Sequence, residues 1–416
     1  MKNGFLLVFV LLAASSVARA ADDFIDRVDE ALVFSDAQGD LRARVSGTLD
    51  LEGYHFQLPA PALLYTESQN LFSPRLSLFL DAQLGRYLYV FAQSRADRGF
   101  DPSDEYRRLR LDEYAIRFSP GDEGYLNLQL GKFATVVGNW VERHGSWDNP
   151  FVTAPLVYES LTGVWDAAAP GSADTLLRWA HVRPNGYPDG SKDDKDLRLP
   201  VIWGPSYGSG LAVSGLIEHF QYAFEVKNSA LASRPDSWSV AAVQWQNPTF
   251  SGRIGYRPNE AWNLGLSASS GSYLRPSASA SLAPGYKRED YREIVVGQDL
   301  SFAWHHLQLW AEVYEVRFHL PRVGNADTVS YYVEAKYKFT AQFFAAVRWN
   351  QQLFGSLRDS VGNFERWGRD VWRFDFAPAY RFTPHTQLKF QYSLQRTAGP
   401  APAWNNIFAL QSTVRF

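Results

Sequence analysis

The chain has 416 residues, no cysteine and a formal net charge of −3, which excludes a disulfide framework and gives no sign of a nucleic-acid partner. Aromatic residues make up 15% of the sequence and hydrophobic residues 46%, yet the mean hydropathy is only −0.27. After the amino terminus no apolar run approaches the roughly twenty residues of a membrane helix. Many aromatics without such a run favour strands that are apolar only at alternate positions.

The first twenty residues have the three parts of a secretory signal peptide. Lys2 supplies a positive start, residues 5–14 form a short apolar core, and residues 18–20 provide a small-x-small cleavage site. The core is about half as long as a bilayer-spanning helix. We therefore expect residues 1–20 to be cleaved after export. Residues 21–40 then form a polar leader, either a short periplasmic helix or a flexible arm.

The clearest strand lies at 41–52, where charged and aliphatic residues alternate. One face carries the charges, and the opposite face is aliphatic from Leu41 to Leu51. The charged side chains are Arg42, Arg44, Asp50 and Glu52. Four charges on one face are incompatible with the core of a soluble sandwich, and the aliphatic face should not meet water. Lipid outside and an aqueous lumen inside satisfy both faces.

The same alternation recurs along the rest of the chain and predicts a transmembrane antiparallel β-barrel over 41–416. Further strands are expected at 75–84, 87–96, 109–118, 125–131, 158–167, 174–183, 209–216, 220–227, 241–257, 262–270, 291–302, 307–318, 329–340, 343–353, 371–382, 387–395 and 405–416. This gives about eighteen strands with short periplasmic turns and long extracellular loops. The strands at 158–167 and 174–183 are the weakest, and about sixteen remain without them. A phase slip is expected near Asp112.

The last stretch, 404–416, also alternates and ends on an aromatic residue. Phe408, Leu410 and Phe416 point one way, whereas Gln411 and Arg415 point the other. A hydrophobic edge strand invites aggregation, so we expect this strand to pair with the first one and close the barrel. The pattern resembles that of bacterial outer-membrane barrels, whose final Phe is part of the signal read by the assembly machinery. The resemblance implies that Phe416 has this role and that the lipid bilayer is a partner.

The loop at 132–157 is more aromatic and apolar than a solvated surface loop should be, so it needs a packing partner. The chain resembles general and substrate-specific porins in pattern over its whole mature length, although no motif identifies a subfamily. In those proteins the third loop folds inward and narrows the pore. The resemblance implies a constriction here, and it makes a homotrimer an expectation. The candidate residues are Trp140, Arg143, His144, Trp147 and Asp148. An outward lid is the alternative.

Strand phases also predict which charged side chains line the lumen. The candidate lining residues are Arg42, Arg44, Asp50, Glu52, Arg75, Asp81, Arg95, Arg117, Arg253, Lys336, Arg348, Arg373, Arg381 and Lys389. The wider lumenal set adds the basic Lys227, Arg257, Lys338 and Arg415 and the acidic Glu113, Glu225, Glu293, Asp299, Glu312, Glu334 and Asp375. Basic groups outnumber acidic ones in that set, which predicts a modest preference for anions.

No catalytic motif and no phosphate-binding glycine loop occur in the sequence, so we expect neither an enzyme nor a bound cofactor or metal. His305 and His306 are adjacent, which favours a turn over metal ligation. Three hypotheses follow. The first is a passive channel, because so many strands enclose a space that side chains cannot fill. The second is an outer-membrane hydrolase with a nucleophile–His pair on the lipid-facing wall. The third is an adhesin or structural barrel with a sealed lumen.

Overall fold

The strands of the chain close into one antiparallel β-barrel. A computed structural model describes residues 23–57, 60–97, 108–121, 124–181, 192–235, 246–399 and 403–416. Within these ranges sixteen strands form the barrel wall, and one short extra strand, Val33–Ser35, pairs with the first of them. The all-β transmembrane barrel predicted from the alternation is confirmed, with the smaller of the two expected strand numbers.

The wall strands are labelled in chain order. They are β1 (Leu41–Phe56), β2 (Asn70–Leu84), β3 (Leu88–Asp97), β4 (Arg108–Phe118), β5 (Asn127–Phe133), β6 (Gly208–Ile217), β7 (Phe220–Lys227), β8 (Thr249–Asn259), β9 (Trp262–Ser272), β10 (Arg292–Trp304), β11 (Leu307–Leu320), β12 (Gly324–Lys338), β13 (Phe343–Phe354), β14 (Val371–Arg381), β15 (Thr386–Thr397) and β16 (Ala403–Arg415). Each pairs antiparallel with its neighbours, and the pairing of β3 with β4 shifts register between Gln93 and Ser94, opposite the predicted slip.

Pairing of β16 with β1 closes the barrel, as the terminal pattern predicts. The register runs from Thr48 opposite Arg415 to Phe56 opposite Ile407. Phe416 extends this seam, because its backbone exchanges hydrogen bonds of 2.8 and 3.0 Å with Gly47. A Cβ on Gly47 would lie 2.5 Å from Cζ of the Phe416 ring. Glycine at this position therefore leaves room for the terminal aromatic side chain.

The outward face of the wall is apolar, whereas the inward face is polar. Leu49 and Leu51 are 39% and 45% exposed on the outside, and Asp50 between them is fully buried on the inside. Aromatic rings border the short-turn end of this surface. Contacting pairs there are Tyr87 with Phe118, Phe220 with Tyr256, Trp262 with Phe302, and Tyr380 with Phe382. An apolar band edged by aromatic rings is the lipid-facing surface of a membrane-spanning barrel.

The amino-terminal leader lies at the short-turn end of the barrel. Residues 23–31 are helical, and Val33–Ser35 then pairs with the start of β1. Two contacts connect the helix to the rim: Asp26 lies 2.8 Å from Nε2 of His385, and Asp29 lies 2.8 Å from Nη2 of Arg44. The expected signal peptide, 1–20, lies outside the described residues. Among the described residues, no helix combines the length and apolarity needed to cross a bilayer.

The two weak strands expected at 158–167 and 174–183 are not part of the wall. The first region contains the short strand Leu161–Trp165, which pairs with Arg198–Pro200 in a separate sheet. The second is the helix Ala173–His181, which buries Leu176 and Leu177. Neighbouring apolar residues of this kind suit a helix, because a strand would place them on opposite faces. The loops predicted at 132–157 and 184–208 therefore belong to one connection, 134–207, between β5 and β6.

Candidate functional site

The connection between β5 and β6 is described over 134–181 and 192–207, which are called the inner segment below and pack against the inward face of the barrel. Its regular elements are the 3₁₀ turns Val141–Arg143 and Leu156–Tyr158, the paired strands Leu161–Trp165 and Arg198–Pro200, and the helices Ala173–His181 and Lys192–Leu197. Trp203 and Leu176 are fully buried in a cluster that also contains inward residues of the wall, such as Phe318. The apolar residues of the inner segment thus find their packing partner in the lumen.

The segment first crosses the lumen to β11. Backbone N–H groups of Asn139 and Trp140 donate to Oε1 of Glu312, and the Tyr158 hydroxyl donates to Oε2 at 2.6 Å. Gly138 makes this approach possible, because its φ is +79° and a Cβ there would lie 2.1 Å from the hydroxyl oxygen of Tyr314. These donors leave the buried carboxylate of Glu312 well solvated by protein groups.

Arg143 and His144 are fixed in different ways. Nη1 of Arg143 lies 2.6 Å from Oε1 of Glu334, and its guanidinium stacks 4.3 Å from the Trp310 ring. Nε2 of His144 accepts from the Tyr207 hydroxyl at 2.9 Å, while Nδ1 donates to the carbonyl of Val141. Burial and the neighbouring charge of Arg95 lower the pKa of His144 to about 4, so the ring is neutral at pH 7.

The segment next runs along β13 to β16, where inward cations of the wall bind its backbone. Nζ of Lys389 donates to the carbonyl oxygens of Ser146 and Asn149 at 2.6 and 2.9 Å. Arg348 donates from Nη2 to the carbonyl of Thr153 at 3.0 Å. Arg373 reaches the carboxylate of Glu159 and the carbonyl of Ala154. These three cations are fully buried, so they hold the inner segment against the wall instead of facing water.

Trp147 and Asp148 lie at the short-turn end of the lumen. The Trp147 ring is flanked by the guanidinium groups of Arg381 and Arg415, at 4.9 and 4.1 Å from its centroid. Asp148 is exposed. Lys336 contacts the Phe344 ring nearby, with Nζ 4.4 Å from the centroid. Trp140 lies earlier in the segment and stacks on Tyr158 at 4.4 Å between centroids.

One part of the lumen that the inner segment leaves free is a cavity of about 710 Å³ beside β1, β2 and β3, called the β1–β3 cavity below. Four of the expected lining residues, Arg44, Asp50, Arg75 and Arg95, border it, together with His144, Trp147 and Asp148. Nε of Arg75 lies 3.1 Å from Asp50. The walls of this cavity therefore carry charges of both signs.

Two further cavities open on other sides. One of about 250 Å³ is bordered by the predicted lining residues Asp81 and Arg117. The other, of about 540 Å³, lies beside β6 to β11 and is bordered by Glu142, Arg257 and Glu260. Because Glu142 also borders the β1–β3 cavity, the tip of the inner segment, residues 139–148, lies between these two compartments of the lumen.

The remaining candidates lie away from the β1–β3 cavity. Arg42 is exposed at the start of β1, and Glu52 is buried 2.6 Å from Nη2 of Arg75. Arg253 contacts both oxygens of Asp299, at 2.8 and 2.6 Å. Sequence reasoning did not single out Asn139 and Tyr158 as anchors. The available signal was Gly138, a flexible residue inside an otherwise bulky run.

Within the described ranges, no three His, Asp or Glu side chains are grouped so that they could hold a metal ion. His305 lies in the turn after β10 with a φ of +51°, and His306 hydrogen-bonds the carbonyl of Lys338 at 2.7 Å.

No family model matches the chain, and no curated protein matches its sequence. Its fold is similar to that of the outer membrane channel DcaP of Acinetobacter baumannii, with a TM-score of 0.57, 10% identity, and coverage of 92% of this chain and 99% of that one. OmpT, an outer membrane protein of Vibrio cholerae, is similar with a TM-score of 0.54 and 9% identity, over 92% of this chain and 99% of that one. An anion-selective porin from Comamonas acidovorans has a TM-score of 0.53 and 10% identity, over 90% of this chain and 100% of that one.

These identities are low, so the likeness is one of fold. At that level the expected resemblance to porins is confirmed: the chain has a porin-like barrel fold, the architecture of the outer-membrane proteins to which it is similar. Its apolar outer band agrees with a location in the lipid of the outer membrane.

Proposed function

We propose that this chain is a narrow passive channel for small hydrophilic solutes, neutral or anionic, across the outer membrane. The observation that carries the proposal is the polar cavity of about 710 Å³ that remains between the inner segment and β1 to β3. A barrel of this size encloses more space than its own side chains fill. Here the inner segment occupies most of that space, which leaves a restricted path along one side of the wall.

The path begins at the short-turn end. Arg415 and His385 border the cavity there, and it extends inward past Trp147 to Val152 and Ala154. Charged and amide groups such as Arg75 and Gln93 replace the hydration of a passing solute, which lowers the cost of desolvation.

The anion preference follows from the cations that face this path. Many inward cations are neutralised inside the wall, as Arg253 is by Asp299 and Arg348 is by Asp375. The excess of positive charge is therefore confined to fewer groups than the sequence count implies, among them Arg415, which borders the cavity, and Arg381, which contacts the same Trp147 ring. We expect a weak preference for chloride over potassium that fades as salt screens the field.

Single-channel recording of the purified chain in a planar bilayer tests this proposal. We expect small, discrete conductance steps, and larger steps after deletion of 139–148, which removes the tip from the lumen. A wild-type protein that inserts without any current, or equal steps with and without the tip, would contradict a channel narrowed by this segment.

A sealed barrel with an adhesive or structural role is the second candidate. The observation that favours it is the apolar packing at the long-loop end, where Ala60 and Leu64 of the first connection pack with Tyr54, Phe56 and Val152. Together with the larger cluster around Trp203, this packing occupies lumen space on the long-loop side of the cavity. Insertion into a bilayer without current would favour this candidate.

We also propose that the chain has no enzymatic activity. A lipid-facing hydrolase needs a nucleophile beside a histidine. On the outward face of the described strands, Nδ1 of His55 contacts Oδ1 of Asn70 at 2.9 Å, and Nδ1 of His319 contacts Oδ1 of Asn325 at 3.0 Å. Neither asparagine is a nucleophile of this kind. Release of fatty acid from phospholipid vesicles by the purified chain would contradict the proposal.

The proposed function also includes two partners. We propose that Phe416 is read by the outer-membrane assembly machinery and that the folded chain forms a homotrimer. The position of Phe416 on the closing seam supports the first, because the strand that leads to it joins the two ends of the wall. Loss of membrane-inserted protein after removal of Phe416, and the mass of the native oligomer, test the two assignments separately.

A further inference from the structure

We propose that Lys336, Arg381 and Arg415 form a binding site for a small oxyanion, a carboxylate or phosphate group, at the short-turn end of the lumen. As a site for a solute it rests on the proposed channel function. Binding itself is a property of the folded wall and can be measured without any current.

Contacts with two aromatic rings connect the three cations. Lys336 Nζ lies 4.4 Å from the centre of the Phe344 ring, and Cζ of Arg381 lies 5.9 Å from the same ring. Arg381 and Arg415 then flank Trp147 at 4.9 and 4.1 Å. Cation–π contacts of this kind fix the direction of each cation while leaving its hydrogen-bond donors available.

These cations differ from Arg348, Arg373 and Arg253 in what they bind. Arg348, Arg373 and Arg253 contact carboxylates of the wall at 3.0 Å or less. By contrast, Nε of Arg381 donates to Oε1 of Gln387, and Nε of Arg415 donates to the carbonyl of Pro384, both at 2.8 Å.

The acceptors at this end are therefore neutral, and one donor is left over. Gln387 is 1% exposed, and its Nε2 has no acceptor in the described part of the chain. Burying a donor without an acceptor is costly, and an oxyanion bound among these cations would accept a hydrogen bond from this donor. This is an observation independent of the charges.

Asp148, at the tip of the inner segment, acts electrostatically on all three cations. Asp148 is exposed and borders the cavity beside β1 to β3, as do the buried Trp147 and the exposed Arg415. Glu334 and Asp29 act on one cation each, but their carboxylates pair with Arg143 and Arg44, so Asp148 does not neutralise three cations by itself. Asp148 is thus a tethered competitor that a free oxyanion must displace or join.

Guanidinium groups suit this ligand because their parallel N–H donors match two oxygens of a carboxylate or phosphate. The narrow mouth of the cavity strengthens the attraction, since low-dielectric walls focus the field of the cations. The site would concentrate anionic solutes where they enter or leave the passage.

The test measures binding of acetate and, separately, of inorganic phosphate to the full chain in detergent by calorimetry. We expect binding to weaken about tenfold in Arg381→Gln and in Arg415→Gln, since each loses a charge-assisted contact. Asp148→Asn should strengthen binding by removing the competitor. Arg257→Gln, an equal charge change in the compartment beside β6 to β11, should leave binding unchanged.

Several results would overturn the site. They are the absence of acetate and phosphate binding in the wild type, binding as tight as wild type in both Arg381→Gln and Arg415→Gln, and weaker binding in Asp148→Asn. Lys336→Gln provides a third removal variant if either arginine variant fails to fold. Binding that behaves as expected in a protein without current would contradict the channel and support the site. Current without binding would support the channel and contradict the site.

Discussion

The two halves of the lumenal wall carry similar side chains but use them differently. On β13 to β15, Arg348, Arg373 and Lys389 are fully buried beneath the inner segment and bind its backbone or its carboxylate. On β2 and β3, Arg75 and Arg95 border the open cavity. The same inward arginine therefore serves as an anchor on one side and as a passage lining on the other. What decides its role is whether the inner segment covers it.

The largest expected effect comes from breaking an anchor. Arg348→Ala would leave the carboxylates of Asp375 and Glu334 buried, after removal of a cation that lies 2.9 and 3.6 Å from them. Removing one partner of a buried ion pair costs about 3–5 kcal/mol. Urea unfolding from lipid vesicles measures this loss.

Arg44→Ala is the matched variant on the open half. Its partner Asp29 is 29% exposed and Arg44 itself 53%, so the change should cost no more than about 1 kcal/mol. Equal losses in Arg44→Ala and Arg348→Ala would show that the two halves do not differ.

The second prediction compares the outer and inner faces of one region of the wall. Leu80→Arg places a charge on the lipid-facing surface of β2 and should cost about 2–4 kcal/mol if Leu80 lies near the bilayer midplane. Thr48→Arg places the same side chain toward the cavity, where water can solvate it, and should cost little. Folding yields in vesicles would separate the two, and equal tolerance would contradict the strand phases.

The third prediction concerns the pH dependence contributed by His144. Its pKa in the folded chain, about 4, lies below the ordinary value of 6.5. As the pH falls from 6.5 toward 4, the unfolded chain binds a proton that the folded chain does not, so stability decreases in that window and is fully present above it. The loss should be about 1–3 kcal/mol.

Comparison with His144→Gln isolates this contribution, because the many carboxylates of the chain titrate in both proteins. The difference in unfolding free energy between wild type and variant should shrink between pH 7 and pH 4. A constant difference over that range would mean that the ring is protonated equally in both states.

Much of the wall was predictable from the sequence, because alternation is a local signal. Leu49, Asp50 and Leu51 show their faces without reference to any other strand. The inner segment was predictable only in part. Its aromatic tip indicated an inward loop, but Leu176 and Leu177 belong to a helix whose stability comes from packing inside a closed barrel. A strand pattern cannot show contacts that exist only after closure.

The contacts at the candidate site could not be predicted for the same reason. Strand phase predicted that Lys389 points inward, and it does. Whether an inward lysine meets water or the carbonyl oxygens of Ser146 and Asn149 depends on residues more than two hundred positions away in the sequence. The anchor at Glu312 is likewise non-local, since its donors come from Asn139 and Trp140. No periodicity in the sequence encodes such pairs.

The smallest expected effect is on ion selectivity, and it again compares the two halves of the lumenal wall. Arg95→Gln removes a positive charge that borders the cavity, so the preference for chloride over potassium should fall by roughly 1.5- to 2-fold in dilute salt. Arg253→Gln removes the same charge from a guanidinium that contacts both oxygens of Asp299 and does not border the β1–β3 cavity. Reversal potentials in a salt gradient should therefore shift in Arg95→Gln and stay near wild type in Arg253→Gln. The shift should also fade as salt rises toward about 1 M, where screening acts over roughly 3 Å. Equal shifts in both variants would mean that permeating ions sample the covered half of the wall as well as the open one.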